Sequence, residues 1–169
     1  MLSIWNVLSV SVVGLYGISL FLFLWTYDVF HLIAFLGLLL VRTLSEGLKT
    51  QCKGSTCPRP LGATNCNTFC SDGNQEGRPG MPSTHAAFVT FFVTYYAPIL
   101  SAPLRTLATL YAAAVIYSRY AKKCHSVIQL ASGSVLGGGV GMLATLLFSN
   151  MQGGASMIVL KKPPMWKDI

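Results

Sequence analysis

Between Leu2 and Tyr27 the chain carries no Asp, Glu, Lys, Arg or His, and between His125 and Leu160 it carries no Asp, Glu, Lys or Arg. Uncharged runs of this length constrain the fold more than any other feature, because about 20 consecutive apolar residues in a helix cross the hydrocarbon core of a bilayer. Composition agrees: 53% of residues are hydrophobic and 10% are charged, against about 25% charged in soluble domains. A soluble enzyme is excluded. The formal charge of +7, from 12 Lys+Arg and 5 Asp+Glu, rests on too few groups to make a solvated nucleic-acid-binding face, so nucleic acid is excluded as a partner. The expectation is an all-α transmembrane helical bundle forming one integral membrane domain over residues 1–169.

Five spans are expected. The first covers residues 2–27; no Lys or Arg precedes Arg42, so it reads as a retained helix rather than a cleaved signal. After a turn at Asp28 and His31, the second covers 29–49. Residues 50–81 are rich in Gly, Pro, Cys, Asn and Ser without helical period and read as a disulfide-tied loop. The third span, 82–104, carries Pro98 and Pro103 near its far end, where they kink or stop a helix. Spans at 106–119 and 125–148 follow, then a tail, 149–169, that is interfacial or disordered. Gly133, Gly137 and Gly141, four residues apart, give the fifth span a face that lets another helix approach closely.

Five spans put the ends of spans two and four and the starts of spans three and five on one side. Lys53, Arg59, Arg78, His85, Arg119, Lys122, Lys123 and His125 all fall there, whereas Asp28, His31 and Arg105 fall opposite. Two histidines open apolar helices on the charged side, each beside basic residues, and a helix N-terminus favours an anion. In Gly80-Met81-Pro82-Ser83-Thr84-His85, Ser83 is the expected cap, and Ser83 and Thr84 present hydroxyls to a phosphate. Taken alone, this stretch reads more readily as a plain cap with an interfacial histidine; the basic residues around it shift the balance. In Ser118-Arg119, five residues, His125, three residues and Gln129, the spacing of four puts Gln129 beside His125, where its carbonyl can hold one ring nitrogen while the other attacks phosphorus. Lys53 and Arg59 offer a point charge and a bidentate fork. Lys122 and Lys123 fit a second phosphate, an anionic head group, or simply a solvated loop. Arg78 fits either the phosphate cradle or the lead into a helix.

In order, side and residue type these groups resemble the signature of the type 2 phosphatidic acid phosphatase family. That family's first motif is Lys, six residues and Arg-Pro; here Lys53 stands five residues before Arg59-Pro60, and Lys49 is the alternative cation. Its second, Pro-Ser-Gly-His, is matched by Pro82-Ser83-Thr84-His85. Its third, which ends in Asp, is matched through Arg119 and His125 with Gln129 at the last place. The dolichyl diphosphatase branch is nearer, with Gly-Met-Pro-Ser-Ser-His and a third motif ending in Gln. The resemblance covers about Lys49 to Gly141. It implies a metal-independent lipid phosphatase, without cofactor, acting on a polyisoprenyl diphosphate or related lipid phosphate. His125 is then the nucleophile, His85 the acid, Gln129 the orienting group, and Lys53, Arg59, Ser83, Thr84 and Arg119 the phosphate cradle. Transfer to an alcohol instead of water, and a non-catalytic protein that keeps the fold, stay open beside hydrolysis.

Cys52, Cys57, Cys66 and Cys70 crowd the long loop with gaps of four, eight and three residues, which lack the paired short intervals of structural zinc sites. Two disulfides among these four are expected, in any of three pairings, with Cys124 a packed free thiol. Disulfides place the loop in an oxidising lumen or outside the cell. The positive-inside rule points the other way, but several of those cations have a proposed role at the site. The resemblance agrees with the lumenal side and implies the endoplasmic reticulum or another endomembrane. A homodimer is left open.

Overall fold

The computed structural model describes residues 3–52 and 57–154, and among these it is helical: α1 (Ile4–Thr26), α2 (Val29–Gln51), α3 (Thr84–Tyr96), α4 (Ala102–Ala121) and α5 (Val127–Gly154). Lys53 and most of the expected tail lie outside the described residues; the first residues of that tail continue α5. Local signals fix the boundaries. The Ser3 hydroxyl accepts from the Trp5 amide at 3.3 Å, and the Asp28 carboxylate accepts from the Phe30 amide at 2.8 Å. Between them Tyr27 turns through the left-handed region (φ 53°) and ends α1.

The third and fourth helices depart from the expected spans. α3 stops at Tyr96, just before Pro98, and α4 begins at Ala102, so Pro103 sits in its first turn rather than at the end of α3. The reason is the asymmetry of proline, which ends a helix it cannot continue but costs nothing where the amide has no partner anyway. With 13 residues, α3 is about 20 Å long, short of the ~30 Å hydrocarbon core. Among the described residues three helices, α1, α2 and α5, are long and apolar enough to cross a membrane.

α3 instead forms the centre of the bundle and touches all four other helices. Its side chains Phe88, Phe91 and Tyr95 share one core with Val12, Leu38, Val41 and Val115. The closest packing is against α5: a Cβ on Gly133 would meet the Ser83 carbonyl, one on Gly137 the Ala87 carbonyl, and one on Gly141 the Phe91 carbonyl. Both residue numbers rise together, so α3 and α5 run parallel, backbone to backbone, along the glycine face. α2 runs antiparallel to α3, with Gly37 against Phe91 and Lys49 against Thr84. The bundle's outside is apolar: Val7, Phe21, Leu107, Leu110, Leu143 and Leu147 are all exposed. Such a surface is stable against lipid rather than water, and the chain is an integral membrane protein.

Its two ends differ. At one, Phe30 stacks on Tyr95 and meets Phe148 edge to face, and the His31 ring nitrogen pairs with the Tyr96 hydroxyl at 3.0 Å. The opposite end carries the cysteine-rich loop and most of the basic residues, Arg105 lying at the aromatic end.

Candidate functional site

The loop is folded on itself. Isolated antiparallel bridges pair Pro58 with Pro79 and Thr64 with Asn74, the Arg59 amide donates to the Arg78 carbonyl at 2.9 Å, and the Gly80 amide donates to the Cys57 carbonyl at 3.0 Å. This pairing sets Arg59 and Arg78 side by side over the helix ends. The disulfides differ from expectation: Cys52 pairs with Cys57 and Cys66 with Cys124, while Cys70 is free. Cys124 is thus not a packed thiol. It is far from Cys66 in sequence, but Ala63, Cys66 and Cys124 form one buried apolar cluster, so packing of the loop on the end of α4 selects a bond that spacing within the loop conceals.

Beneath the loop lies a cavity of about 400 Å³ whose wall includes Lys49, Arg59, Arg78, Thr84, His85 and His125. His85 stands in the first turn of α3, after the Ser83 cap, and His125 stands two residues before α5. The parallel α3–α5 packing is what brings these two helix starts, and so the two histidines, into one cavity.

His125 is buried, and its Nδ1 lies 2.9 Å from the Gly80 carbonyl oxygen. A carbonyl only accepts, so Nδ1 carries the proton and Nε2 presents its lone pair. That Nε2 lies 3.4 Å from Nη1 of Arg59, which also donates to the Cys124 carbonyl at 3.1 Å. Burial, then the positive charges of Arg59, Arg119 and Lys49, hold the His125 ring well below the ordinary histidine pKa. It is therefore neutral at neutral pH, the form a nucleophile requires.

Gln129 does not make the expected contact with the His125 ring. Its Oε1 accepts from the Ser126 amide at 3.1 Å, and its Nε2 donates to the carbonyls of Cys57 at 3.2 Å and Pro58 at 2.9 Å. The hold on His125 comes instead from a backbone carbonyl, which residue types alone do not reveal.

Of the expected phosphate cradle, Arg59 and Thr84 line the cavity. Thr84 Oγ1 donates to Glu46 at 2.9 Å and accepts from Lys49 Nζ at 2.6 Å, and Lys49 pairs with Glu46 at 2.7 Å. Lys49 is thus the cation that the end of α2 brings to the cavity. Burial lowers the Arg59 pKa, and Asp72 opposes that shift. Ser83 is fully buried: its hydroxyl caps α3 through the Ala86 amide at 3.5 Å, and its own amide donates to the Gln129 carbonyl at 3.0 Å. Arg119, also fully buried, sends Nη1 to the Ser9 hydroxyl at 2.7 Å and Nη2 to the Cys66 carbonyl, tying α1, the loop and α4 together. Lys122 is occupied elsewhere, on Asn6, Asn65 and the Cys70 sulfur. Lys123 lies over Gly62.

Three buried nitrogens, Arg59 Nε, His85 Nε2 and Arg119 Nε, have no hydrogen-bond partner within the described residues. Buried polar atoms are nearly always paired, and phosphate oxygens are suitable acceptors for guanidinium N–H groups. The cavity also takes in Arg42, Glu46 and Asp72, charged residues outside the expected site; the signal for Arg42 is a charge deep within an apolar helix.

No curated protein and no solved structure matches the chain. A family match does exist and takes in α2, the loop, α3, α4 and nearly all of α5: over residues 30–152 the chain matches the PAP2 superfamily, and it belongs to that superfamily.

Proposed function

We propose that this chain is a lipid phosphatase that hydrolyses a polyisoprenyl, dolichyl-type diphosphate or a related lipid phosphate, without a metal, through a phosphohistidine on His125. PAP2 proteins are in general phosphatases acting on phosphate esters. The observation that carries the reading is the His125 ring, anchored through Nδ1 on the Gly80 carbonyl with Nε2 toward Arg59, in the same cavity as His85.

Nε2 of His125 attacks the terminal phosphorus, and the bond from phosphorus to the bridging oxygen breaks. His85 delivers a proton to that oxygen; a phosphate bound among the cavity's cations favours the protonated ring. The lipid leaves, shorter by one phosphate. Water then attacks the phosphohistidine, gives its proton to His85, and inorganic phosphate departs. Arg59 and Lys49 lie where charge grows on the phosphoryl oxygens, and such groups provide most of the stabilisation in phosphoryl transfer. The Gln129 match and Gly80-Met81-Pro82 support the dolichyl diphosphatase branch. The two disulfides support a site facing an oxidising lumen, as in the endoplasmic reticulum, or the cell exterior.

The test is phosphate release from a polyisoprenyl diphosphate and from phosphatidic acid with EDTA present, by purified protein and by sealed microsomes. The expected result is release that survives chelation, favours the diphosphate, and falls by on the order of 10³-fold or more in His125→Ala. In microsomes it stays latent until they are permeabilised. Undiminished release by His125→Ala contradicts the mechanism, and release that needs no permeabilisation contradicts the lumenal site.

A further inference from the structure

The cavity under the loop does not end at the histidines. A second cavity of about 260 Å³ adjoins it, sharing Arg42, Asn67, Thr68 and Phe88, and continues between Val12, Val13 and Tyr16 of α1 and Phe69 of the loop. The first cavity is polar and cationic; the second sets the apolar side chains of Val12, Val13, Phe69 and Phe88 beside the polar Asn67, Thr68 and Arg42. Arg42 stands where they meet.

Arg42, Glu46 and Lys49 are spaced i, i+4 and i+7 on α2 and form one stripe facing the cavity. Glu46 is engaged by Lys49 and Thr84. Arg42 sits about 10 Å further along the helix axis than Lys49, toward the second cavity, whose wall it shares with Tyr16. An exposed guanidinium at this depth in an apolar helix is costly unless it serves a ligand. The larger cavity holds four cations, Arg42, Lys49, Arg59 and Arg78, against two carboxylates, Glu46 and Asp72. Of these charged residues Arg42 alone also lines the second cavity, which places a fixed positive charge at the junction, beyond the cations around the histidines.

We propose that Arg42 binds the second, lipid-proximal phosphate of a diphosphate substrate, while the cleft between Val12, Val13, Tyr16 and Phe69 receives the first part of the apolar chain. The proposal deepens the phosphatase reading and rests on the histidine cavity being the site of the terminal phosphate. It makes Arg42, rather than Lys122 or Lys123, the residue that distinguishes a lipid diphosphate from a lipid monophosphate. A guanidinium contacts phosphate oxygens through a planar fork, and one charge-assisted contact of this kind corresponds to about tenfold or more in affinity.

Two measurements on the full chain in detergent micelles test this. In the first, kcat/KM is compared for farnesyl diphosphate and farnesyl monophosphate. Arg42→Ala is expected to lose about tenfold more on the diphosphate than on the monophosphate, with Arg42→Lys between it and the parent. In the second, binding of a farnesyl methylenebisphosphonate and of a farnesyl phosphonate is measured without turnover. The parent is expected to prefer the bisphosphonate by about tenfold and Arg42→Ala to lose that preference. A preference that persists in Arg42→Ala, or equal losses on both substrates, overturns the proposal. Should the parent release no phosphate yet bind with an Arg42-dependent preference, the binding site stands and the phosphatase reading falls.

Discussion

His125 is held by a chain of backbone contacts that ends on Gln129. The ring donates to the Gly80 carbonyl, the Gly80 amide donates to Cys57, and Gln129 Nε2 donates to Cys57 and Pro58. Gln129 therefore positions the loop that orients the His125 ring, the proposed nucleophile. This separates two accounts of the same residue. If Gln129 stood in for a carboxylate that accepts from the imidazole, Gln129→Glu would preserve or raise turnover. As a clamp that donates to two carbonyls, it loses its function in both Gln129→Glu and Gln129→Ala. We expect kcat to fall by about 10–100-fold in each variant, an effect the size of one or two buried hydrogen bonds, with KM changed much less. Full activity in Gln129→Glu would restore the acceptor role. At this scale the sequence made the two histidines, Arg59 and Thr84 legible, because cations and hydroxyls at helix starts signal an anion. The Gly80 carbonyl was not legible, since every residue has one and only the fold selects which is used.

Among the elements, the pair α3 and α5 decides whether there is a site at all. His85 rides on the first turn of α3 and His125 precedes α5, and their separation follows from how closely the two backbones approach at Gly133, Gly137 and Gly141. A side chain at Gly137 would strike the Ala87 carbonyl and Thr90 Oγ1, whereas one at Gly139 meets nothing within 4 Å. Gly137→Ala is expected to destabilise the protein by about 1–3 kcal/mol through overpacking and to depress turnover, while Gly139→Ala changes neither. Thermal unfolding in detergent beside the phosphatase assay checks both, and equal behaviour of the two variants would remove the glycine face from the account. The four-residue glycine spacing was legible because a small-residue stripe has one evident use in a membrane helix. The ends of α3 were not, because hydropathy alone does not say which of Pro98 and Pro103 stops one helix and which starts the next.

Seen whole, the molecule is apolar on its outside and carries both disulfides and most of its basic residues at one end, with an aromatic cluster and Arg105 at the other. Under the proposed function, that polarity lets a substrate remain in the bilayer by its chain while its head group meets the histidines. The bilayer setting and the gathering of charge were legible from two long uncharged runs and from parity. The Cys66–Cys124 bond was not, since it joins segments that only the packed bundle brings together. The central claim is a covalent phosphoryl group on His125, and the most direct measurement is to quench the protein within its first turnovers of terminally labelled polyisoprenyl diphosphate and map the label. The account predicts an acid-labile, base-stable adduct on His125 that is absent from His125→Ala. Label on any other residue, or undiminished turnover by His125→Ala, would contradict it.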